Sequence, residues 1–179
     1  MKINVVGTSG SGKSTLCKKL SAALDIPYIE IDRLFWKPNW IESNDEEFFS
    51  KLEQALDQDS WVLDGNYTRT IPIKWKHVDM IIWIDFSYTR TLLQALKRAL
   101  IRASTKQELW PDTGNRETFK KLFSRQSIVL WTIKTYAKNK KKYQAMMADA
   151  RYSRIKFVRV RSPKEADSLI ESLSKNTET

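Results

Sequence analysis

Residues 7–14 read Gly7-Thr8-Ser9-Gly10-Ser11-Gly12-Lys13-Ser14, and they match the pattern G-x-x-x-x-G-K-[ST] at every fixed position. A short apolar segment, 2–6, precedes the match, and an amphipathic segment, 15–24, follows it. In this order a strand leads into a loop whose backbone N–H groups wrap a phosphate, and the following helix points its positive end at the same anion. The stretch therefore predicts a site for a nucleoside triphosphate.

Each residue type in this loop has a chemical role. Glycines permit a tight backbone, Lys13 brings a flexible positive charge to the outer phosphates, and the Ser14 hydroxyl can ligate Mg²⁺. We expect the residues that contact ATP to be Gly7, Thr8, Ser9, Gly10, Ser11, Gly12, Lys13, Ser14 and Thr15. The alternative is a turn rich in glycine and serine that happens to carry a lysine, and the flanking strand and helix argue against it. The loop alone names no reaction, since kinases, hydrolases, switches and motors all use it.

Composition bounds the class of protein. At 179 residues the chain is long enough for one well-filled core, and because it has no Gly-, Pro- or Ser-rich linker we expect a single domain over 1–179. The longest apolar runs, such as 80–84, are too short to span a bilayer, and Met1-Lys2 leads directly into a strand with no apolar signal region. We therefore expect a cytoplasmic protein with no membrane partner. The single cysteine, Cys17, can form neither an internal disulfide nor a zinc-binding cysteine cluster.

Charge is unevenly distributed along the chain. Residues 1–89 carry 10 basic and 13 acidic residues, whereas residues 90–179 carry 21 basic and 8 acidic residues, and the net charge is +10. A basic half of this kind indicates a polyanionic partner or a cluster of phosphates. Two interpretations stay open: some arginines close over the triphosphate, and the run Lys138-Asn139-Lys140-Lys141-Lys142 is either a solvated helix end or a nucleic-acid patch.

Strand patterns alternate with helix patterns along the chain. The strands are expected at 2–6, 28–32, 61–64, 78–85 and 155–160. The helices are expected at 15–24, from a capping box at 43–46 onward, at 89–102, near 119–136 and from Pro163 onward. This alternation predicts an α/β fold with a parallel sheet and helices on both faces.

The ends of the strands are the positions to inspect, because ligands of such sheets bind beyond the carboxyl ends of the strands. Asp64 ends a strand just before Gly65, where a second carboxylate could hold Mg²⁺; alternatively it only begins a turn. Arg69 adds a planar fork suited to two phosphate oxygens. Asp32 either binds or deprotonates an acceptor hydroxyl, or pairs with a nearby arginine.

Several of these stretches resemble a known family. Residues 62–70 contain the Asp-Gly-x-x-x-Arg-Thr segment that is typical of adenylate kinase and related nucleoside monophosphate kinases. The whole chain resembles more closely the adenylate-kinase-like bacterial proteins labelled DNA topology modulation proteins. Beyond the loop the match includes 34–40, 64–67 with Arg69, Arg98 and Arg102, 114–117 and 159–162, and so covers nearly the whole length.

The resemblance implies a P-loop NTPase fold of the nucleoside monophosphate kinase type, with a five-stranded parallel sheet, an acceptor-binding insertion or flap at about 33–60 and a lid at about 102–125. ATP would bind at the first loop with Mg²⁺ on Ser14, and Asp64 would hold the metal through water. Arg69 would hold the acceptor's phosphate if the acceptor has one, and Arg161 would border the adenine. Arg98 and Arg102 would lie near the lid.

The lid candidate also contains Arg116, Lys120 and Lys121. We expect at least one of Arg98, Arg102 and Arg116 to contact the transferring phosphoryl group, although solvated charges near a turn would give the same pattern.

Departures from the family pattern limit the range of possible acceptors. Adenylate kinases have a Thr-Gly step after their second strand, where this chain has Asp32-Arg33-Leu34-Phe35-Trp36, which argues against AMP as acceptor. Trp36 and Trp40 either stack on a ring of the acceptor or pack a small flap against the sheet. Because Cys17 is the only cysteine, a lid built on a cysteine-bound metal is excluded.

Three functions are compatible with these observations. The favoured one is a kinase that binds ATP and Mg²⁺ at 7–14 and a small-molecule or nucleotide acceptor around Asp32, Trp36 and Arg69. The second is an ATP-binding, DNA-associated protein whose basic half contacts nucleic acid, although no helix-turn-helix motif is visible. The third, a plain triphosphate hydrolase, lacks a clear residue to position water.

Overall fold

A computed structural model describes residues 1–122 and 127–175 of the chain. The strands of this part are β1 (Lys2–Gly7), β2 (Tyr28–Glu30), β3 (Trp36–Lys37), β4 (Ile41–Glu42), β5 (Trp61–Asp64), β6 (Met80–Ile84) and β7 (Lys156–Val160). The helices are α1 (Lys13–Leu24), α2 (Ile31–Phe35), α3 (Asp45–Leu56), α4 (Ile71–Lys74), α5 (Tyr88–Thr105), α6 (Phe119–Leu122), α7 (Ile128–Ala148) and α8 (Pro163–Lys175). Short 3₁₀ turns occupy Pro38–Trp40, Thr68–Thr70 and Ala150–Tyr152.

A five-stranded parallel sheet forms the centre of the described part, with the strand order β2-β5-β1-β6-β7. Within it, β1 pairs with β5 up to Val5 opposite Asp64, and with β6 up to Gly7 opposite Ile84. The predicted α/β architecture is confirmed. Because β1 is central, the loop that follows it begins in the middle of the carboxyl edge of the sheet.

Helices cover both faces of this sheet, as predicted. On one face Leu16 and Leu20 of α1 and Leu173 of α8 pack against the sheet, and on the other face Phe48 of α3 and Tyr143 of α7 do so. The burial of these apolar stripes holds the layers together. No described helix is both long enough and apolar enough to cross a membrane.

The second strand is shorter than predicted. It ends at Glu30, which is paired with Asp64, the last residue of β5. Since the neighbouring strand offers no further partner, the chain turns into α2 and carries Ile31 into the core. Asp32 therefore lies in the first turn of a helix, and the expectation that it ends a strand over 28–32 was wrong.

Two helix boundaries also differ from the prediction. The side chain of Asn44, and not Ser43, caps α3, because Asn44 Oδ1 accepts a hydrogen bond of 2.8 Å from the Glu47 N–H. The helix expected near 119–136 corresponds to α6 and α7, while residues 123–126 lie outside the described part. Since α7 extends to Ala148, the lysine-rich run 138–142 lies within a helix and not at its end.

A buried lysine lies beneath the turn after β5. Lys74 is 1% exposed, and its Nζ donates to the Gly65 carbonyl at 3.2 Å. The same carbonyl accepts from Asn4 Nδ2 at 3.3 Å. Burial, with a smaller contribution from the positive charge of Lys142, lowers the pKa of Lys74 to about 7.

This low pKa makes the free energy of unfolding depend on pH. Between about pH 7 and pH 10 the unfolded chain keeps a proton on Lys74 that the folded chain has lost, so the contribution of this group to stability rises with pH. We expect the stability difference between the wild type and Lys74→Met to shift in favour of the wild type across this window, by at most about 1.4 kcal/mol per pH unit. Below this pH window, the stability difference between the two proteins should not change with pH. Urea unfolding at a series of pH values measures it.

Lys76→Met is the matched control, because Lys76 is exposed two residues further along the chain. It should show no such trend. A stability difference between the wild type and Lys74→Met that stays constant from pH 7 to pH 10 would contradict the assignment.

Candidate active site

The loop between β1 and α1 has the backbone that its sequence requires. Gly10 and Gly12 have φ angles of 81° and 94°, which favour glycine over other residues. A Cβ on Gly10 would lie 2.7 Å from the Cβ of Ala95 in α5, so this helix packs directly against the loop. The Ser11 N–H closes a turn onto the Thr8 carbonyl at 3.1 Å.

Lys13 folds back over this loop. Its Nζ donates to the Thr8 carbonyl at 3.2 Å. Burial lowers the pKa of Lys13, and the carboxylates of Asp64 and Asp32 partly oppose this shift. The lysine is therefore electrostatically coupled to both acidic residues that the sequence singled out at strand ends.

Ser14 and Asp64 meet at the start of α1. Ser14 Oγ donates to Asp64 Oδ2 at 2.5 Å, and the Tyr28 hydroxyl donates to the same oxygen at 3.3 Å. Asp64 is only 5% exposed. A hydroxyl and a carboxylate oxygen side by side are the ligand types that Mg²⁺ takes when phosphates and water complete its shell, so these two residues fit the predicted metal.

Asp32 faces the same region from α2. Its Oδ1 accepts a hydrogen bond of 2.7 Å from the Tyr67 hydroxyl, and the neighbouring Arg33 is exposed. Burial raises the pKa of Asp32, the Tyr67 hydrogen bond opposes that shift, and the negative charge of Asp64 adds to it. The hydrogen-bond partner that the structure describes for Asp32 is thus a tyrosine and not an arginine.

The three arginines that were expected in or near the lid lie in different surroundings. Arg98 donates from Nη2 to Ser9 Oγ at 3.0 Å, which places its guanidinium at the loop, and burial lowers its pKa. Arg102 pairs with Glu117 at 2.9 Å. Arg116 is exposed, and its backbone forms an isolated bridge with Glu108. Of the three, Arg98 is the one that the described contacts bring to the loop.

Arg69 packs against an aromatic cluster. Its guanidinium lies 4.9 Å from the centre of the Phe35 ring and 5.5 Å from that of Phe48, and its Nε lies 3.3 Å from Asp45 Oδ1. Trp36 contacts the edge of Phe35 at a centroid distance of 5.0 Å. The Arg69 guanidinium therefore contacts an acidic side chain and aromatic rings.

The flap formed by β3 and β4 is tied to the segment 106–117. Trp36 contacts Trp40 at 5.6 Å and Trp40 contacts Trp110 at 5.9 Å between ring centroids. Asn115, which is fully buried, accepts from the Trp40 N–H at 2.8 Å and donates to the Lys37 carbonyl at 2.9 Å. These contacts favour the packing role for Trp36 and Trp40. Asn115 had no role assigned to it from the sequence.

A cleft of about 410 Å³ opens at β2 and the start of α2. Its lining includes Tyr28, Glu30 and Arg33. Burial raises the pKa of Glu30, and a contact with Trp110 opposes this shift. The cleft is therefore lined by residues of β2 and of α2, the helix that also carries Asp32.

Helix α7 forms a further wall of the site, which was not expected from the sequence. Thr132 Oγ1 lies 3.3 Å from the Ser9 carbonyl, and Asn139 Nδ2 lies 3.5 Å from Thr8 Oγ1. Both contacts are long, but they place one face of the helix along the loop. In the sequence, this face could have been recognised from Thr132, Asn139 and Tyr143. They are separated by seven and four residues, which places them on one face of a helix.

The lysine-rich run on this helix is divided between two surroundings. Lys140 lies 3.7 Å from Asp85 Oδ2, and Lys142 donates to Thr68 Oγ1 at 3.3 Å, whereas Lys138 and Lys141 are exposed. Two of its four lysines thus contact the protein itself. Arg161, at the end of β7, is also exposed.

Comparison with known proteins supports the fold. A family model described as an AAA domain matches residues 3–82, which include the loop, β2, β5 and all of β1 except Lys2. No curated protein gave a significant match.

Two solved structures are similar over almost the whole chain. A gluconokinase from Sinorhizobium meliloti is 16% identical with a TM-score of 0.51, over 98% of this chain and 94% of that one. A deoxyadenosine kinase from M. mycoides, solved with dCMP and dCDP, is 14% identical with a TM-score of 0.53, over 99% of each chain. At these identities the similarity concerns the fold, and the resemblance to DNA topology modulation proteins stays a prediction. The protein has an α/β P-loop NTPase fold, with a five-stranded parallel sheet like those of P-loop kinases.

Proposed function

We propose that this protein is a Mg²⁺-dependent kinase that transfers the γ-phosphoryl group of ATP to a hydroxyl group of a small-molecule or nucleotide acceptor. The observation that carries the proposal is the position of Asp32. Its carboxylate is held by Tyr67 and coupled electrostatically to Lys13 and Arg98. A phosphate-binding lysine that interacts electrostatically with a candidate base suits phosphoryl transfer to a hydroxyl.

The donor side uses the loop and the helices around it. Backbone N–H groups of residues 10–15 and the start of α1 would bind the phosphates of ATP, and Lys13 would exchange its contact with the Thr8 carbonyl for the outer phosphates. Arg98 would add a second positive charge from α5. Arg161, beyond β7, would border the adenine.

The metal side uses Ser14 and Asp64. Ser14 Oγ would ligate Mg²⁺ and Asp64 would hold it through water, in place of the hydrogen bond that now joins the two side chains. When bound, Mg²⁺ neutralises negative charge on the transferring phosphoryl group. Tyr28 keeps the Asp64 carboxylate oriented toward this position.

The acceptor side uses Asp32 and the cleft at the edge of β2. The raised pKa of Asp32 makes its carboxylate a stronger base, which would take the proton of the attacking hydroxyl. The similar folds named as a gluconokinase and a deoxyadenosine kinase support an acceptor with a free hydroxyl group. Arg69 would reach a phosphate on the acceptor by exchanging its contact with Asp45.

The flap and the segment 106–117 would limit access of water to the transferring group. Asn115 and Trp110 join the two segments, so the flap and the lid would move together. Arg102 and Arg116 lie on this side and would complete the positive surroundings of the transferred group.

The donor side of the proposed site depends on the charge of Lys13. Lys13→Ala should lower kcat/KM for ATP by at least about 100-fold, because the charge that stabilises the outer phosphates is lost. ADP release is measured with a panel of nucleosides, nucleotides, sugars and sugar acids. Lys19→Ala, on the exposed side of the same helix, is the matched control and should keep wild-type activity. No ADP above the Lys13→Ala background with any acceptor would overturn the proposal.

The acceptor side of the proposed site depends on Asp32 as a base. Asp32→Asn should lower kcat by about 10²–10⁴-fold while ATP affinity changes little, because the amide cannot accept the hydroxyl proton. In the wild type, activity should fall as the pH drops through the raised pKa of Asp32, since the protonated carboxyl is inactive as a base. Glu46→Gln, an exposed carboxylate in α3, serves as control. An Asp32→Asn enzyme with wild-type kcat would exclude the assignment.

A further inference from the structure

One side chain holds both backbone polar groups of the first residue of the loop. The Gly7 N–H donates to Asn66 Oδ1 at 3.0 Å, and Asn66 Nδ2 donates to the Gly7 carbonyl. A primary amide that donates and accepts in this way pairs with a peptide group as a neighbouring strand would. Neither the sequence motif nor the comparisons assign a role to Asn66.

The sheet explains why this pairing is needed. On one side Gly7 is paired with Ile84 of β6. On the other side, β5 ends at Asp64, whose partner is Val5, and the ladder closes with a 3.4 Å contact from the Gly65 N–H to the Val5 carbonyl. Gly7 therefore projects beyond β5, and buried backbone groups without partners would be costly. The Asn66 side chain takes the place of the missing strand.

The position of Asn66 is fixed by further contacts. The hydroxyl of Tyr143 lies 3.0 Å from Asn66 Oδ1, and this tyrosine, on α7, is only 2% exposed. From below, Lys74 and Asn4 bond to the carbonyl of Gly65, the residue before Asn66. Because the amide is held on two sides, it can fix Gly7 in turn.

We propose that Asn66 is a positioning residue for the nucleotide site, which holds the start of the phosphate-binding loop in place before ATP arrives and connects it through Tyr143 to α7. This inference rests on the proposed ATP site, but not on the identity of the acceptor. A loop that is already in its binding conformation loses less conformational freedom when the phosphates bind. Removal of the amide should therefore weaken ATP binding even when the chain stays folded.

The test compares Asn66→Ala, Asn66→Asp and Tyr143→Phe in the full chain. The affinity for Mg-ATP is measured by calorimetry, and urea unfolding is measured without nucleotide. Asn66→Ala should weaken binding about tenfold, since two hydrogen bonds to the loop are lost. Asn66→Asp keeps the size and one acceptor but faces the Gly7 carbonyl with a negative charge, so it should bind no better than Asn66→Ala. Tyr143→Phe should have a smaller effect of the same sign.

Asn44→Ala is the matched control. Asn44 also bonds to a backbone N–H, but it does so as the cap of α3, outside the site. This variant should lose stability and keep wild-type ATP affinity. If Asn66→Ala behaves in the same way, with reduced stability and ATP affinity within twofold of the wild type, Asn66 is only structural and the inference falls.

Amide hydrogen exchange of the segment 5–12, measured without nucleotide, separates this inference from the proposed function. Faster exchange there in Asn66→Ala, together with the weaker ATP binding, supports the positioning role. Unchanged exchange overturns it, even if the wild type is an active kinase. If the wild type binds no Mg-ATP at all, both the proposed function and the nucleotide role of Asn66 fall.

Discussion

The candidate site depends on the early end of β5. This strand stops opposite Val5, so the last two residues of β1 continue beyond it with a free edge. Side chains replace the missing backbone partners: Asn66 pairs with Gly7, and Lys74 supports the Gly65 carbonyl from the interior. Burial of a lysine amine lowers its pKa and costs free energy, so the turn is held at some expense to stability.

The same strand end sets the position of the acceptor side. Because β2 pairs only with β5, it loses its partner after Glu30 and turns into α2. Ile31 then packs so closely beneath Gly65 that a Cβ on this glycine would lie 1.9 Å from Ile31 Cγ2. This packing brings Asp32 to Tyr67 and toward Lys13. The end of β5 thus links the two halves of the site, and a larger residue at position 65 would disturb both.

Local patterns in the sequence predicted the loop, the parallel sheet and the approach of Asp64 to Ser14, because each follows from a short motif or from the alternation of strands and helices. Asn66, Asn115 and the loop-facing side of α7 could not be assigned in this way. Their partners lie 59, 75 and 123 residues away in the chain for the Gly7, Trp40 and Ser9 contacts, so their roles exist only in the folded protein. Asp32 was placed on the wrong element, since the extent of β2 is set by β5 and not by its own sequence.

Part of the positive charge of the second half lies around this edge of the sheet. Arg98 contacts Ser9, and Asp85 pairs with Arg159 and lies near Lys140. Asp85 therefore offsets part of the charge of Arg159 and Lys140. Burial lowers the pKa of Arg98, and its described partner at the loop is the Ser9 hydroxyl. Phosphate oxygens would be a stronger partner for that guanidinium than a serine hydroxyl. A triphosphate in the proposed site would thus account for the position of Arg98 at the loop.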